Sequence, residues 1–233
     1  MSTATRDYGM VIGGVWTDSD ARLEAISPGS GESLGSVPEG TREDAQQAIA
    51  AANGAWRDWS RRSAFERADA MERVADLIVE RRDELALTLT LDQGKPLYSE
   101  SYGEVDELVE YWRMAAADVK RLDGSMPPSV DASKRILGYR VPRGVVGVIT
   151  PWNWPYTMPA ELLAPALAAG NAVVWSPASS TSICAAKLAE CIVDAELPAG
   201  VFSMVTGRGA VVGDEIAGEI GRASCRERVS LTV

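Results

Sequence analysis

Histidine is absent from the 233 residues of this sequence. Its absence excludes a Ser-His-Asp or Cys-His catalytic relay within the chain, and also any metal site that uses a histidine ligand. The three cysteines, Cys184, Cys191 and Cys225, are odd in number and form no CxxC pair. This pattern indicates free thiols in a reducing compartment and not a disulfide framework or a zinc site. We therefore expect no metal site and a cytoplasmic location.

Positive charge is also scarce, because 23 lysines and arginines face 33 acidic residues and the net charge is −10. Nucleic acids and anionic membrane surfaces require a basic face, so neither is expected as a partner. No apolar run reaches membrane-spanning length, and the first residues lack the basic-then-apolar order of a secretion signal. A net charge of this sign more often simply keeps a protein soluble.

Strands and helices alternate in the second half of the chain. Apolar β-branched runs at 145–149, 172–175 and 201–205 have strand length, and they are separated by helix-length segments that include 181–195. The third run leads into a glycine-rich turn at 207–213. This alternation predicts a parallel α/β sheet that binds a nucleotide.

The first half predicts short strands and then helices. Strands are expected at 10–16 and 23–26. Thr41 with Asp44, and Ser63 with Glu66, have capping-box spacing and precede apolar stripes of helical period. Leucines alternate at period two between 85 and 91, but no turn signal precedes them, and we favour a helix there.

A second pair of strands is expected between the two halves. The segment 122–133 is a linker that contains proline and serine, and 136–141 has the composition of a strand adjoining 145–149. We predict an arm of strands at about 134–150. The predicted fold class is α/β, with a helical N-terminal segment leading into a partial Rossmann-like parallel sheet and an extra β-hairpin or arm.

Two features of the second half can carry chemistry. Asn153 lies between two tryptophans and two prolines; an amide donates hydrogen bonds without titrating, so it could stabilise an oxyanion, or it could simply close a turn. Glycines at 207, 209 and 213 allow close approach of a pyrophosphate to a helix N-terminus, but their spacing departs from GxGxxG by one residue. A strand-to-helix turn without a ligand remains open for this run.

Taken together, these motifs resemble the aldehyde dehydrogenase superfamily over about 10–218. The motif with the strongest similarity is Gly144-Val145-Val146-Gly147-Val148-Ile149-Thr150-Pro151-Trp152-Asn153-Trp154-Pro155. Shorter similar motifs are Gly14-Val15-Trp16, Ser27-Pro28-Gly29-Ser30-Gly31-Glu32, Gly94-Lys95-Pro96, Glu104-Val105, Pro165-Ala166-Leu167-Ala168-Ala169-Gly170, Asn171-Ala172-Val173-Val174 and Leu197-Pro198-Ala199-Gly200-Val201.

The resemblance implies oxidation of an aldehyde to a carboxylic acid with NAD or NADP. It implies that Asn153 is the oxyanion-stabilising amide. It also implies that Gly209 and Gly213 lie against the adenine end of the cofactor. The residues implied to line the nicotinamide-side groove are Ile149, Thr150, Pro151 and Trp152.

The chain departs from the family pattern at the ribose. Where the family has Lys-Pro-x-Glu, this chain has Ser176-Pro177-Ala178-Ser179, so Ser176 and Ser179 are the candidate ribose contacts. The lost carboxylate removes a repulsion against a 2′-phosphate and the lost lysine removes an attraction, which leaves NAD and NADP both open.

The resemblance also implies that the nucleophilic cysteine and the general-base glutamate lie beyond the last matching residue. We expect 1–218 to be an incomplete cofactor-binding region of a truncated chain, 219–233 to be an unrelated disordered tail, and this polypeptide to be inactive alone. The alternative is a non-catalytic fragment that binds a nucleotide or pairs with a homologue, because a sheet that stops after its third strand exposes an edge. The complete protein is expected to be a homo-oligomer.

Overall fold

The computed structural model describes residues 6–220 and the backbone of 223–225. The helices are α1 (Arg42–Arg61), α2 (Ala64–Glu80), α3 (Arg82–Gln93), α4 (Tyr102–Val119), α5 (Thr157–Ala168), α6 (Ser182–Asp194) and α7 (Asp214–Glu219). The strands are β1 (Arg6–Asp7), β2 (Met10–Ile12), β3 (Val15–Thr17), β4 (Arg22–Ile26), β5 (Ser33–Pro38), β6 (Val145–Ile149), β7 (Ala172–Ser176), β8 (Phe202–Met204) and β9 (Ala223–Cys225). Short π-helical turns, Leu97–Ser101 and Gly209–Gly213, precede α4 and α7, and a 3-10 turn, Ser179–Thr181, precedes α6. The predicted α/β class is confirmed.

A six-stranded sheet in the order β3-β2-β8-β7-β6-β9 forms the centre of the fold. Its strands β6, β7 and β8 run parallel to one another, as the βαβ pattern predicts. Strands β2 and β3 form an antiparallel hairpin at one end, where Val11 pairs with Met204 of β8. A second sheet, β1-β5-β4, contains β5, which the sequence analysis missed.

Helices cover both faces of the central sheet because β7 is apolar on both faces. Ala172 and Val174 pack into a cluster with α1 and with residues of the glycine-rich turn and α7. Val173 and Trp175 pack into the larger cluster formed by α2, α4, α5 and α6. All five residues of β7 are buried, which is typical of a central parallel strand.

The sequence analysis raised the prospect of an exposed edge beside the parallel strands, but both edges of this group of strands are paired. The hairpin of β2 and β3 covers the outer edge of β8, and the backbone of β9 pairs in parallel with β6. Strand β9 lies within 219–233, where a disordered tail was predicted. The remaining residues of that predicted tail, 221–222 and 226–233, lie outside the described residues.

The predicted helix starts are confirmed. Thr41 and Ser63 are N-caps of α1 and α2, and each forms a reciprocal capping box with the acidic residue three positions later. The leucine-rich segment is the helix α3, because Leu85 and Leu89 are buried together one turn apart whereas a strand would bury alternate leucines.

The predicted arm strands at about 134–150 are wrong over their first part. Only Val145–Ile149 is a strand, and it belongs to the central sheet. Between 120 and 144, a single isolated bridge joins Ser125 and Gly138. Tyr139 and Val141 are 77% and 73% exposed. A strand needs a partner along its length, and among the described residues 136–141 has only this one bridge, from Gly138 to Ser125.

Candidate active site

The site lies at one edge of the central sheet, where β6, β7 and β8 end. Because these strands are parallel, the three segments that follow them, 150–156, 177–181 and 205–213, begin at the same edge. Ligands of open α/β sheets bind in the crevice outside the carboxyl ends of the strands. All nine candidate residues lie at this edge, either at the end of a strand or in one of these three segments.

Asn153 lies in the loop that joins β6 to α5. Its side chain is exposed, whereas Pro151 and Pro155 on either side of it are buried. The two tryptophans of the loop are also accessible to solvent: Trp152 is 53% exposed and Trp154 is 39% exposed. The prolines thus anchor the loop, and the amide and the indoles between them face solvent at the sheet edge.

The ends of β6 and β7 are tied to each other by Thr150. Its backbone N–H donates to the Ser176 carbonyl at 3.2 Å, and its Oγ1 accepts from the Trp175 indole Nε1 at 2.9 Å. Ser176, a candidate ribose contact, is only 1% exposed, so its hydroxyl is buried at the end of β7. Ser179, by contrast, is exposed at the start of the 3-10 turn before α6.

The glycine-rich turn approaches the end of β6. A Cβ added to Gly213 would lie 3.7 Å from the Cδ1 atom of Ile149, so these two candidate residues are neighbours. Around Gly209, a Cβ would find no atom within 4 Å, which leaves open space at this backbone position. Gly207 has a φ of +150° and a Cβ there would lie 2.7 Å from Val212, so the turn requires glycine.

Two residues that the sequence analysis did not assign to the site hold the Asn153 loop. Glu104 of α4 accepts hydrogen bonds from the backbone N–H groups of Tyr156 and Thr157, at 2.9 and 3.3 Å. Lys95 forms an ion pair with Glu104 at 2.5 Å, and its ammonium lies 3.5 Å from the centre of the Trp154 ring. Their motifs, Gly94-Lys95-Pro96 and Glu104-Val105, were visible in the sequence, but nothing in the spacing showed that they meet this loop.

The described cysteines are unsuited to attack a carbonyl. Cys184 and Cys191 are free and fully buried on α6. Burial raises the pKa of the Cys184 thiol well above its usual value, and burial raises the pKa of Cys191 to about 12. Since the thiolate is the nucleophilic form, neither side chain supplies it near neutral pH.

The structure adds two observations on ligands and membranes. Within 6–220, no group of three or more cysteine, aspartate or glutamate side chains could hold a metal ion. None of the helices described above is long and apolar enough to cross a membrane.

Comparison with known proteins finds related sequences and structures. The sequence model of the aldehyde dehydrogenase family matches residues 16–222. The chain is 39% identical over 208 residues to the succinate-semialdehyde dehydrogenase [NADP(+)] of Escherichia coli, and this alignment covers 88% of the chain and 43% of that protein. Its fold is similar to the NADP-dependent glyceraldehyde-3-phosphate dehydrogenase of Bacillus halodurans complexed with NADP, with a TM-score of 0.88, 33% identity and coverage of 93% and 47%.

An NAD-dependent aldehyde dehydrogenase from Sinorhizobium meliloti is also similar, with a TM-score of 0.86 and 36% identity over 91% of this chain and 43% of that one. The chain thus spans less than half the length of the relatives it matches. The family match covers most of the chain and extends four residues past 218, where the resemblance was expected to end. This chain belongs to the aldehyde dehydrogenase family.

Proposed function

We propose that this chain supplies the dinucleotide groove and the oxyanion-stabilising amide for the oxidation of an aldehyde to a carboxylic acid with NAD or NADP. In that reaction an aldehyde and water give the acid, a hydride passes to the oxidised cofactor, and a proton is released. The observation that carries the proposal is the convergence of the Asn153 loop and the glycine-rich turn at the edge where β6, β7 and β8 end.

Asn153 is the proposed electrophilic group. Its carboxamide is exposed on a loop whose flanking prolines are buried, so it can reach a carbonyl oxygen bound at the sheet edge. The amide Nδ2–H donates to the oxygen as negative charge develops, and it does so at any working pH because the amide does not titrate. Truncation of such a donor lowers the rate of acyl transfer by roughly 100- to 1,000-fold in known enzymes.

The residues of the groove fit a dinucleotide. The backbone at Gly209 has open space around it, so a ligand can approach the glycine-rich turn there, whereas Gly213 is buried beside Ile149 at the end of β6. Trp152, 53% exposed, offers an indole face on the nicotinamide side. When bound, the nicotinamide ring accepts the hydride. Gly209, Gly213, Ile149, Thr150, Pro151 and Trp152 are the proposed contacts.

NAD and NADP both remain part of the proposal. The E. coli relative is named for NADP(+), and the S. meliloti structure is named NAD-dependent. Ser179 is exposed and can donate to a ribose hydroxyl or to a 2′-phosphate. Ser176 stays a proposed ribose contact only if its buried hydroxyl becomes accessible on binding, since its exposure is 1%.

A second candidate is a fragment that binds the nucleotide without catalysis. The burial of both described cysteines favours it, because neither can act as the nucleophile. Under this candidate the chain pairs with a homologue that supplies the nucleophile and the base. The test is simple: purified protein with simple aldehydes and either cofactor should produce no steady reduced nicotinamide, and sustained production would contradict it.

Nucleotide binding itself can be tested with one substitution and a matched control. Calorimetric titration of the chain with NAD and NADP should show saturable binding of at least one of them. Gly209→Asp should weaken that binding by at least about tenfold, because a carboxylate in the groove opposes the pyrophosphate charge. Gly218→Asp is the control, since Gly218 is also exposed, has no atom within 4 Å of a Cβ, and lies on α7. An equal loss of affinity in both variants, or the absence of binding by the wild type, would contradict the proposal that the nucleotide binds at the glycine-rich turn.

Assembly and location complete the proposal. We infer a homo-oligomer for the complete protein, because the 120–144 segment leaves Met126, Tyr139 and Val141 more than 70% exposed without a strand partner. Sizing chromatography at several concentrations tests this, and a concentration-independent monomer would contradict it for this chain. The proposed cytoplasmic location rests on the sequence pattern of free cysteines, of which the two described ones are unpaired.

A further inference from the structure

A buried ion pair lies directly behind the loop that carries Asn153. The side chain of Glu104 is 0% exposed and that of Lys95 is 12% exposed. Their charged atoms are 2.5 Å apart. Removal of two charges from water is costly, and an apolar pair of similar size is often equally or more stabilising at such a position. Stability of the fold alone therefore gives a weak reason for charges here.

The hydrogen bonds and the cation–π contact that these two side chains make in the described structure, apart from their own ion pair, go to the segment just after Asn153. The Oε1 atom of Glu104 accepts from the backbone N–H groups of Tyr156 and Thr157, three and four residues after Asn153. The ammonium of Lys95 lies 3.5 Å from the centre of the ring of Trp154, the residue next to Asn153. The Lys95 side chain is 12% exposed, and cation–π contacts are stronger where the cation is largely removed from water.

The two contacts fix different parts of the loop. The hydrogen bonds to Glu104 fix the start of α5, which sets the direction in which the chain leaves the loop. The contact with Lys95 fixes the indole adjacent to the amide. Asn153 has its own side chain in solvent, so its orientation depends on the backbone at both neighbouring positions.

We propose that Lys95 and Glu104 are positioning residues, which hold the Asn153 carboxamide in the direction required to donate to the carbonyl oxygen. This inference rests on the proposed function of Asn153 and adds two residues to it. A group that stabilises a transition state must be held in place before the reaction, and a displacement of about 1 Å can lower a rate by about 100-fold. Charged, hydrogen-bonded partners from α4 and from the turn after α3 give the loop that rigidity.

The test uses four variants of the full chain. Lys95→Met and Glu104→Gln remove the charges with little change of shape, and Lys95→Arg keeps a cation that can stack on an indole. Arg82→Met is the matched control, because Arg82 pairs with Asp106 at 2.5 Å and so also joins α3 to α4, but away from the loop. Nitrogen–proton NMR spectra record the Asn153 side-chain amide, and a fifth variant, Asn153→Ala, serves only to assign its signal.

The expected result has two parts. Hydrogen exchange at the Tyr156 and Thr157 amides should become about tenfold faster in Glu104→Gln, since charge-assisted hydrogen bonds are roughly twice as strong as neutral ones. The Asn153 side-chain signal should shift and broaden in Lys95→Met, and in Lys95→Arg it should have the position and width of the wild-type signal. Arg82→Met should change neither the hydrogen exchange nor the Asn153 signal. If Glu104→Gln does not fold, the Lys95→Met and Lys95→Arg pair decides alone.

Failure of this inference and failure of the proposed function look different. An unchanged Asn153 signal in Lys95→Met, or an equal change in Arg82→Met, overturns the positioning role even when the wild type binds a nucleotide. A wild type whose Trp152 and Asn153 signals respond to neither NAD nor NADP contradicts the proposed function. In that case the four-variant comparison still shows whether the ion pair orders the loop.

Discussion

Asp92, near the end of α3, is 3% exposed and accepts a hydrogen bond at 2.8 Å from the backbone N–H of Cys184 in the first turn of α6. Burial raises its pKa from 3.8 to about 6, against the opposing effect of the hydrogen bonds from Cys184 and Ile183. The carboxyl therefore holds its proton more tightly in the folded chain than in the unfolded one. Its contribution to stability is full below about pH 4 and is lost as the pH rises through about 6.

The magnitude follows from the size of the shift. One pKa unit corresponds to about 1.4 kcal/mol, so a rise of about two units corresponds to a loss of about 3 kcal/mol once the carboxyl ionises. Asp92→Asn removes the charge but keeps a side-chain oxygen that can accept from the Cys184 N–H. We expect this variant to be more stable than the wild type by about 1–3 kcal/mol at pH 8, and nearly equal to it at pH 4.

Urea unfolding at pH 4, 6 and 8 measures this difference, provided that the slope with urea concentration stays constant between variants. Asp69→Asn is the control, because Asp69 is exposed on α2 and its substitution removes the same charge. Its stability should change by no more than about 0.5 kcal/mol at any of these pH values. A variant Asp92→Asn that is less stable than the wild type at pH 8 would refute the reasoning, since the hydrogen bonds of the carboxylate would then outweigh its burial.

Two further substitutions test packing and backbone geometry by the same unfolding measurement. Trp59→Phe should lower the free energy of unfolding by about 1–3 kcal/mol, because the indole Nε1 of Trp59 donates to the Leu167 carbonyl at 2.9 Å in the core. Trp16→Phe is the control: Trp16 is partly exposed, so the free energy of unfolding should fall by less. Gly200→Ala should lower it by a similar 1–3 kcal/mol or more, since φ is +84° and the new Cβ would lie 2.8 Å from the Ala51 carbonyl oxygen; a stability equal to the wild type would contradict this.

Local signals in the sequence predicted the helices well. Capping boxes at Thr41 and Ser63 are short-range patterns, and each begins a helix as expected. The leucines between 85 and 91 show the limit of periodicity, because the alternation pointed to a strand and only the missing turn signal favoured the helix. Burial of Leu85 and Leu89 by other helices settled the conformation.

Pairings between distant segments could not be predicted in the same way. Strand β5 was missed because Ser33–Pro38 contains a glycine and two serines, and its pairing with β4 and β1 stabilises it. The segment 136–141 was predicted as a strand from its apolar residues, but composition does not show whether a partner strand lies beside it. Strand propensity depends on such neighbours more than helix propensity does.

The candidate site shows the same division. The Asn153 loop and the glycine-rich turn were recognisable as motifs, and in the structure Ile149 and Gly213 are neighbours. The burial of Ser176 was not foreseen, because a serine at a strand end can face either ligand or core. The contacts of Lys95 and Glu104 were missed because they join residues about 50 positions or more apart.

The bonding at the start of α5 limits where negative charge can be accommodated. Helix N-termini often bind anions through free amides, but the Tyr156 and Thr157 amides are already engaged by Glu104, and the Met158 amide donates to the Trp154 carbonyl at 3.2 Å. The side chain of Glu104 thus occupies the place of a guest anion. An anion beside this loop would find these three amides engaged, whereas the carboxamide of Asn153 is exposed to solvent.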